Sequence, residues 1–387
     1  MQELPSEKQI RLTVRAHDHL SEIFLVNSLF QLIANDVGQL EALVAPGIYK
    51  ARFRIGQKQV DQLIEVSPEA GPQEVDGIPV DFNSPVPFAG MGTEQEVHRN
   101  AAEEFSRSAS EKKGEGSCLF LFIRDKVESV SGSALVSASV PWEGITLHNL
   151  DGTLLAESSQ GTCDQENGFF ALHLEVDPGT YRLRVEVEPG ESYEMFIRTV
   201  AGWQTQIFAL SEADWLTDVD AYRAALPSAS VLMTEVGQGF DSADEVARQV
   251  ELLRLGLLHG REVVTEVAVS SLLREEYLNP MQVIFAAHSL SGQGRSIDVA
   301  SLASLLKKLP ADFFEHPDLQ AFMLHQAAEM RPVFPAPPML RSNWDRISQA
   351  VEQRKVIVSP GSLTAQIAGS LLTTSLWLIH RLDSMEV

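Results

Sequence analysis

Two distant stretches of the chain carry the same pattern. Ala45-Pro46-Gly47-Ile48-Tyr49-Lys50-Ala51-Arg52-Phe53-Arg54 aligns with Asp177-Pro178-Gly179-Thr180-Tyr181-Arg182-Leu183-Arg184-Val185-Glu186, so both read Pro-Gly-x-Tyr-(Lys/Arg)-x-Arg. Pro-Gly sets a turn in which the glycine takes a positive φ. The residues that follow alternate with a period of two, which turns Tyr and every second side chain toward a core and the basic side chains toward water. The recurrence predicts two related β modules.

Further alternation surrounds both copies. Ile10, Leu12 and Val14 alternate with Arg11, Thr13 and Arg15, and strands are expected over 119–123, 145–150, 169–176, 181–187, 193–197 and 204–210. Asp151-Gly152 reads as a tight turn between two short strands. Between the β regions, Pro68, Pro72, Pro79, Pro85 and Pro87 precede a polar stretch in which Ala101, Ala102, Phe105 and Ala109 are spaced for a short helix. After residue 227 the apolar spacing becomes helical: Val246, Val250, Leu253, Leu257 and Leu258 share one face, and Asn279-Pro280 opens another helix as cap and first position. The expected organisation is a first β-sandwich module over 1–67, a Pro-rich polar linker with a short helix over 68–117, a second module over 118–210, a hinge over 211–229 and a helical domain over 230–387. Ser211-Glu212-Ala213-Asp214 reads as the capped start of a short helix in the hinge. The fold class is therefore expected to be α+β multidomain, two small antiparallel β-sandwich modules followed by an all-α C-terminal domain.

The Pro-Gly-x-Tyr turn leading into an alternating strand resembles the signature of small β-sandwich modules of the PEGA and carboxypeptidase-regulatory-like type. That resemblance implies a non-catalytic module used for attachment or protein contact. More loosely, the whole arrangement resembles bacterial proteins associated with peptidases in defence or stress systems.

Charge narrows the partners. The chain has 387 residues and a net charge of -23, of which residues 1–226 hold 17 Lys+Arg and 35 Asp+Glu. The acidic excess thus lies in the β-rich part. Nucleic-acid affinity comes largely from Lys and Arg on phosphates, so a nucleic-acid role is disfavoured, as is an anionic membrane surface. Protein partners with basic surfaces are expected instead. Two cysteines, Cys118 and Cys163, in so long a chain suit a reducing cytoplasm, and the polar beginning Met1–Lys8 lacks the apolar stretch of a signal peptide.

No motif announces a reaction. Val283-Ile-Phe-Ala-Ala-His-Ser289-Leu-Ser-Gly292 resembles a nucleophile elbow, with Ser289 as nucleophile and His316 or His325 as base. Ala287 and Ser291 stand where the elbow needs glycine, and Asn279-Pro280 favours a helix there. His17 and His19 lie on one strand face without a third ligand, so no metal is expected, and Gly237-Gln-Gly239 and Gly292-Gln-Gly294 lack the rest of a phosphate loop. No cofactor is expected. The one candidate partner-binding set is Trp203, Gln204, Gln206 and Phe208 at the end of the second module. The leading function is a non-catalytic adaptor or scaffold subunit. The alternatives are a serine hydrolase using Ser289 and a small-ligand or carbohydrate sensor using Trp203.

Overall fold

The computed structural model describes residues 9–67, 69, 71–80, 82–91, 95–109, 111–114, 116–127, 140–188, 190–213, 222–260, 279–292, 309, 313, 315–324, 334, 336–353, 358, 361–367, 370–372 and 375–383. The chain divides into two compact units. One is formed by Met1–Gln95 and Val127–Ser133, the other by Glu96–Lys126 and Ala134–Val387.

The first unit holds β1 (Ile10–Arg15), β2 (Glu22–Asn27), β3 (Leu32–Val37), β4 (Gln39–Val44), β5 (Gly47–Ile55), β6 (Lys58–Val66) and β7 (Gln73–Asp76). They form two sheets, ordered β4-β1-β7 and β3-β2-β5-β6. Pairing is antiparallel except between β1 and β7, which run parallel. Alternate residues supply the core: Leu12, Val14, Ile23, Leu25, Ala51 and Phe53 are fully buried. Gly77, just past β7, lies so near the Phe53 ring that a Cβ there would meet it at 2.5 Å. Glycine is what lets the two layers approach at that point.

The second unit repeats this plan and enlarges it. α1 (Glu96–Phe105) and β8 (Glu111–Lys112) precede β9 (Ser117–Asp125), β10 (Ile145–Asn149), β11 (Leu154–Glu157), β12 (Thr162–Asp164), β13 (Phe169–Val176), β14 (Gly179–Glu188), β15 (Glu191–Thr199) and β16 (Trp203–Ala213). The run β13-β9-β16 matches β4-β1-β7, again with its outer pair β9–β16 parallel, and β11-β10-β14-β15 matches β3-β2-β5-β6. The match extends to register. Tyr49 faces Asn27 and Tyr181 faces Asn149. Both hairpins shift register at the same point, between Leu25 and Val26 and between Leu147 and His148. The repeated sequence pattern therefore marks a duplicated seven-strand topology.

The Pro-Gly turn works differently from its sequence reading. Gly47 has φ 159°, beside the extended region, and Gly179 is absent from the positive-φ glycines. What fixes both turns is the tyrosine. Tyr49 Oη donates to the Ala45 carbonyl at 2.7 Å, and Tyr181 Oη to the Asp177 carbonyl at 2.6 Å. Burial pushes the Tyr181 phenol up to about 12, so it remains a donor.

The chain continues through β17 (Tyr222–Ala224), β18 (Ser230–Glu235), α2 (Glu245–Leu258), α3 (Pro280–Gly292), α4 (Pro317–Met323), α5 (Arg341–Glu352), α6 (Leu363–Gln366) and β19 (Ile379–Asp383). The expectation of two antiparallel β-sandwich modules followed by an all-α domain is corrected here. Each copy contains a parallel pair, and the C-terminal region supplies strands to the second unit's sheets: β18 pairs with β16 and β19 with β15. The physical reason lies in short apolar runs. Residues 230–235 and 377–382 are too short to show a helical period, and the open edges of β16 and β15 offer N–H and C=O groups that strands satisfy. From the helical region α2 and α3 pack against β18, and α1, which precedes the second copy, packs against β13. Buried on both faces, β9 loses the alternation of a half-wet strand. Ser211-Glu212-Ala213, read above as a helix start, continues β16 and pairs with β17.

Candidate functional site

The sequence-predicted partner residues are mostly interior. Trp203 is half-buried at the start of β16. Gln204, Gln206 and Phe208 are at most 2% exposed. Gln204 Nε2 donates to the Ser106 carbonyl at 2.7 Å, Gln206 Nε2 donates to Gln204 Oε1 at 2.7 Å, and Phe208 packs on Phe120 and Phe240. Gln204 thus pins the segment after α1 onto the sheet, and Gln204, Gln206 and Phe208 face the interior.

The segment carrying Ser289 does not have the backbone that the hydrolase reading requires. Asn279 Oδ1 accepts from Met281 N at 3.0 Å and caps α3, so the segment carrying Ser289 is helix where an elbow needs a strand. The Ser289 side chain and all of His325 lie outside the described residues. His316 caps α4, its Nδ1 accepting from Asp318 N at 3.2 Å. Burial pushes His316 down to about 3, so it is neutral, and its proximity to Asp318 is not an ion pair. Asp318 is itself pushed up to about 6 by burial. Its carboxyl accepts from Met339 N, Leu340 N and Asn343 Nδ2 at 2.8–3.0 Å, tying α4 to α5. His17 and His19 lie past the end of β1. Among the described residues no group of three or more His, Cys, Asp or Glu could hold a metal. Cys118 is buried, Cys163 is exposed, and both are free.

Two outward faces carry the unusual chemistry, and they are the same face in the two copies. In the first copy it is open. Leu32, Val26, Lys50 and Leu63 form one row across β3-β2-β5-β6. Leu63 is 74% exposed and Ile48 59%. At the hairpin between β2 and β3 stand Leu29 and Phe30, 73% and 81% exposed, with Lys50 Nζ 5.7 Å from the Phe30 ring centroid. Exposed large apolar side chains grouped at one hairpin and on the sheet face beside it mark interaction sites.

Phe30 has φ 59°, and among the described residues it is the one non-glycine with positive φ. A bulky residue there is a genuine outlier. The second copy shows what the turn itself needs. Phe30 N donates to Asn27 O, and Asn27 N to Gln31 O; in the copy, Gly152 N donates to Asn149 O, and Asn149 N to Thr153 O. Gly152, with φ 92°, is thus the counterpart of Phe30. The fold accepts glycine at this position, and Phe30 holds a left-handed conformation that costs about 1–2 kcal/mol.

In the second copy the corresponding face is covered by its own chain. Phe196 faces Arg182 as Leu63 faces Lys50. Phe196 is fully buried in a cluster with Trp344, Ile367 and Leu378, and its ring stacks on His380 at 5.5 Å.

Both faces also carry a repeated charge clamp. In the first copy Lys50 and Arg52 hold Asp61, at 3.2 and 2.7 Å. The Arg52 hydrogen bond leads in lowering Asp61 to about 2. In the second copy Arg182 and Arg184 hold Glu194 at 2.7 and 2.8 Å, and His380 Nε2 adds a contact at 2.9 Å. Burial alone would raise the Glu194 pKa, but His380, Arg182 and Arg184 together bring it down to about 2.

Neither Phe30 nor the Glu194 clamp stood out in the sequence. Extending the repeat upstream does not reveal this pair, because Tyr181 lies 132 residues after Tyr49 but Gly152 only 122 after Phe30; strand register is what aligns Asn27 with Asn149. Nothing local joins His380 to Glu194.

No family model matches the chain, and no curated protein matches it. Among solved structures it is similar to the Bacillus anthracis TIE protein, with 11% identity and a TM-score of 0.20, over 49% of this chain and 31% of that protein's length. It is also similar to a candidate cell adhesion protein from Bacteroides eggerthii, with 10% identity and a TM-score of 0.15, over 61% of this chain and 98% of the other. Likenesses at these scores carry no argument about function. Among the described residues no helix is long and apolar enough to cross a membrane.

Proposed function

We propose that the chain is a non-catalytic assembly subunit, an adaptor whose first β unit binds a protein partner through the open face around Leu29 and Phe30. The observation that carries this reading is Phe30 itself. A large apolar side chain is held exposed in a left-handed turn where the sister copy uses glycine. Strain that the fold does not require is retained where a contact uses it. The open face supports the same reading, because its counterpart is covered by the C-terminal segment of the chain. The partner supplies the missing cover: an apolar pocket for Leu29 and Phe30, rimmed by basic groups that suit the acidic excess of residues 1–226. The two free cysteines fit a cytoplasmic setting.

Photo-crosslinking from position 30 tests this. Benzoylphenylalanine replaces Phe30 in the full chain, and adducts formed in host extract are identified by mass spectrometry. The expected result is one dominant protein adduct that excess wild-type chain competes away and excess Leu63→Asp variant does not. Adducts indifferent to both competitors, or adducts to lipid alone, would overturn the proposal.

A further inference from the structure

The duplicated clamp points to a second site with different chemistry. In the first copy Asp61 and its basic partners lie at the surface, with the Asp61 side chain 38% exposed. In the second copy the carboxylate is fully buried, and a cavity lies beside its partners Arg182 and His380. This space has a volume of about 420 Å³ and is lined by Arg182, His380, Gln366, Ser370, Leu363, Ile367 and Leu382. The size suits a small molecule.

Arg182 and His380 are the ionisable groups that line the cavity among the described residues. Glu194 is ionised and spends both oxygens on the clamp: Oε1 accepts from Arg184, Oε2 from Arg182 and His380. Arg182 and Arg184 share that carboxylate, Arg182 also acts on the exposed Asp151, and among the described residues no acidic side chain lines the cavity. Glu194 fixes Arg182 and His380 in place, a preorganised arrangement for a ligand's anionic group. Gln366 and Ser370 offer further hydrogen bonds, and Leu363, Ile367 and Leu382 form an apolar wall.

We infer that this cavity binds a small carboxylate with a short apolar body, its head toward Arg182 and His380 and its body against the leucine and isoleucine side chains. The site lies wholly in the second unit and is independent of the partner face around Phe30.

Calorimetric titration of the full chain tests the inference with hexanoate, hexanol and inorganic phosphate as probes. Hexanoate is expected to bind saturably with one site per chain, and the other two are not. Gln366 is exposed, so Gln366→Glu adds a negative charge at the cavity without disturbing the buried clamp. It should weaken hexanoate at least tenfold, while Gln366→Ala changes affinity little. Circular dichroism confirms that each variant is folded. No saturable hexanoate binding would overturn the inference, as would equal binding of hexanol, equal binding of phosphate, or an unchanged affinity in Gln366→Glu.

Discussion

At the scale of single residues, Phe30 and Gly152 form a natural experiment on one turn. Replacing Phe30 with glycine relieves left-handed strain at the cost of a more flexible unfolded chain. The net expectation is a gain of about 0.5–1 kcal/mol for Phe30→Gly in urea unfolding, with no gain for Phe30→Ala, which keeps the strain. A destabilised Phe30→Gly would show that the ring holds the first unit together. The two tyrosines were legible in the sequence because a Pro-Gly-x-Tyr turn has few other uses. Their hydrogen bond to the carbonyl four residues back was not, because alternation shows which way a side chain points but not what it meets. Phe30 was hidden for a related reason. An apolar residue in a polar hairpin looks like ordinary variation until the sister hairpin supplies the glycine. Gln204, Gln206 and Phe208 misled because the sequence does not show that α1 and the segment around Phe240 cover their face.

At the scale of elements, paired strands explain the electrostatics. Register sets Arg184 beside Glu194 and Glu194 beside His380, so three strands build one buried clamp. The Glu194 pKa falls from 4.5 to about 2 on folding, so its contribution is present above about 4.5 and is lost as pH drops through that interval. Asp318 has the opposite sign. Its pKa rises from 3.8 to about 6, so its contribution is present below 3.8 and is lost as pH rises through 6. Unfolding midpoints measured across pH should therefore lose acid-side slope in Glu194→Gln, while Asp318→Asn should remove the fall in stability above pH 6 from a lower baseline, because an amide has only one oxygen to accept from Met339 N and Leu340 N. Each effect is worth about 3 kcal/mol. Glu194→Gln should also cost stability at neutral pH, because two arginines lose their buried counterion. Unchanged pH profiles in both variants would contradict these assignments. Strands with clean alternation were readable from sequence, among them β1, β5 and β14. β18 and β19 were not: each is a brief apolar run whose conformation is decided by the sheet edge it meets, and that edge belongs to residues far away in the chain.

At the scale of the whole molecule, a seven-strand plan is used twice and finished differently. The second copy is enlarged by further strands and helices, and chain from the C-terminal region covers its outer face. The first copy leaves the equivalent face open and puts a strained aromatic at its tip. The duplication was visible in ten residues of sequence. The difference in finish was not, because it depends on where residues 363–383 pack. The acidic excess of residues 1–226 should govern how fast a basic partner arrives, and the apolar tip how long it stays. The most direct measurement is the dissociation rate of the position-30 partner from full-length wild type and Phe30→Gly, both shown to be folded. At least tenfold faster release from Phe30→Gly, with little change in association, is the predicted result; equal dissociation rates would contradict the account.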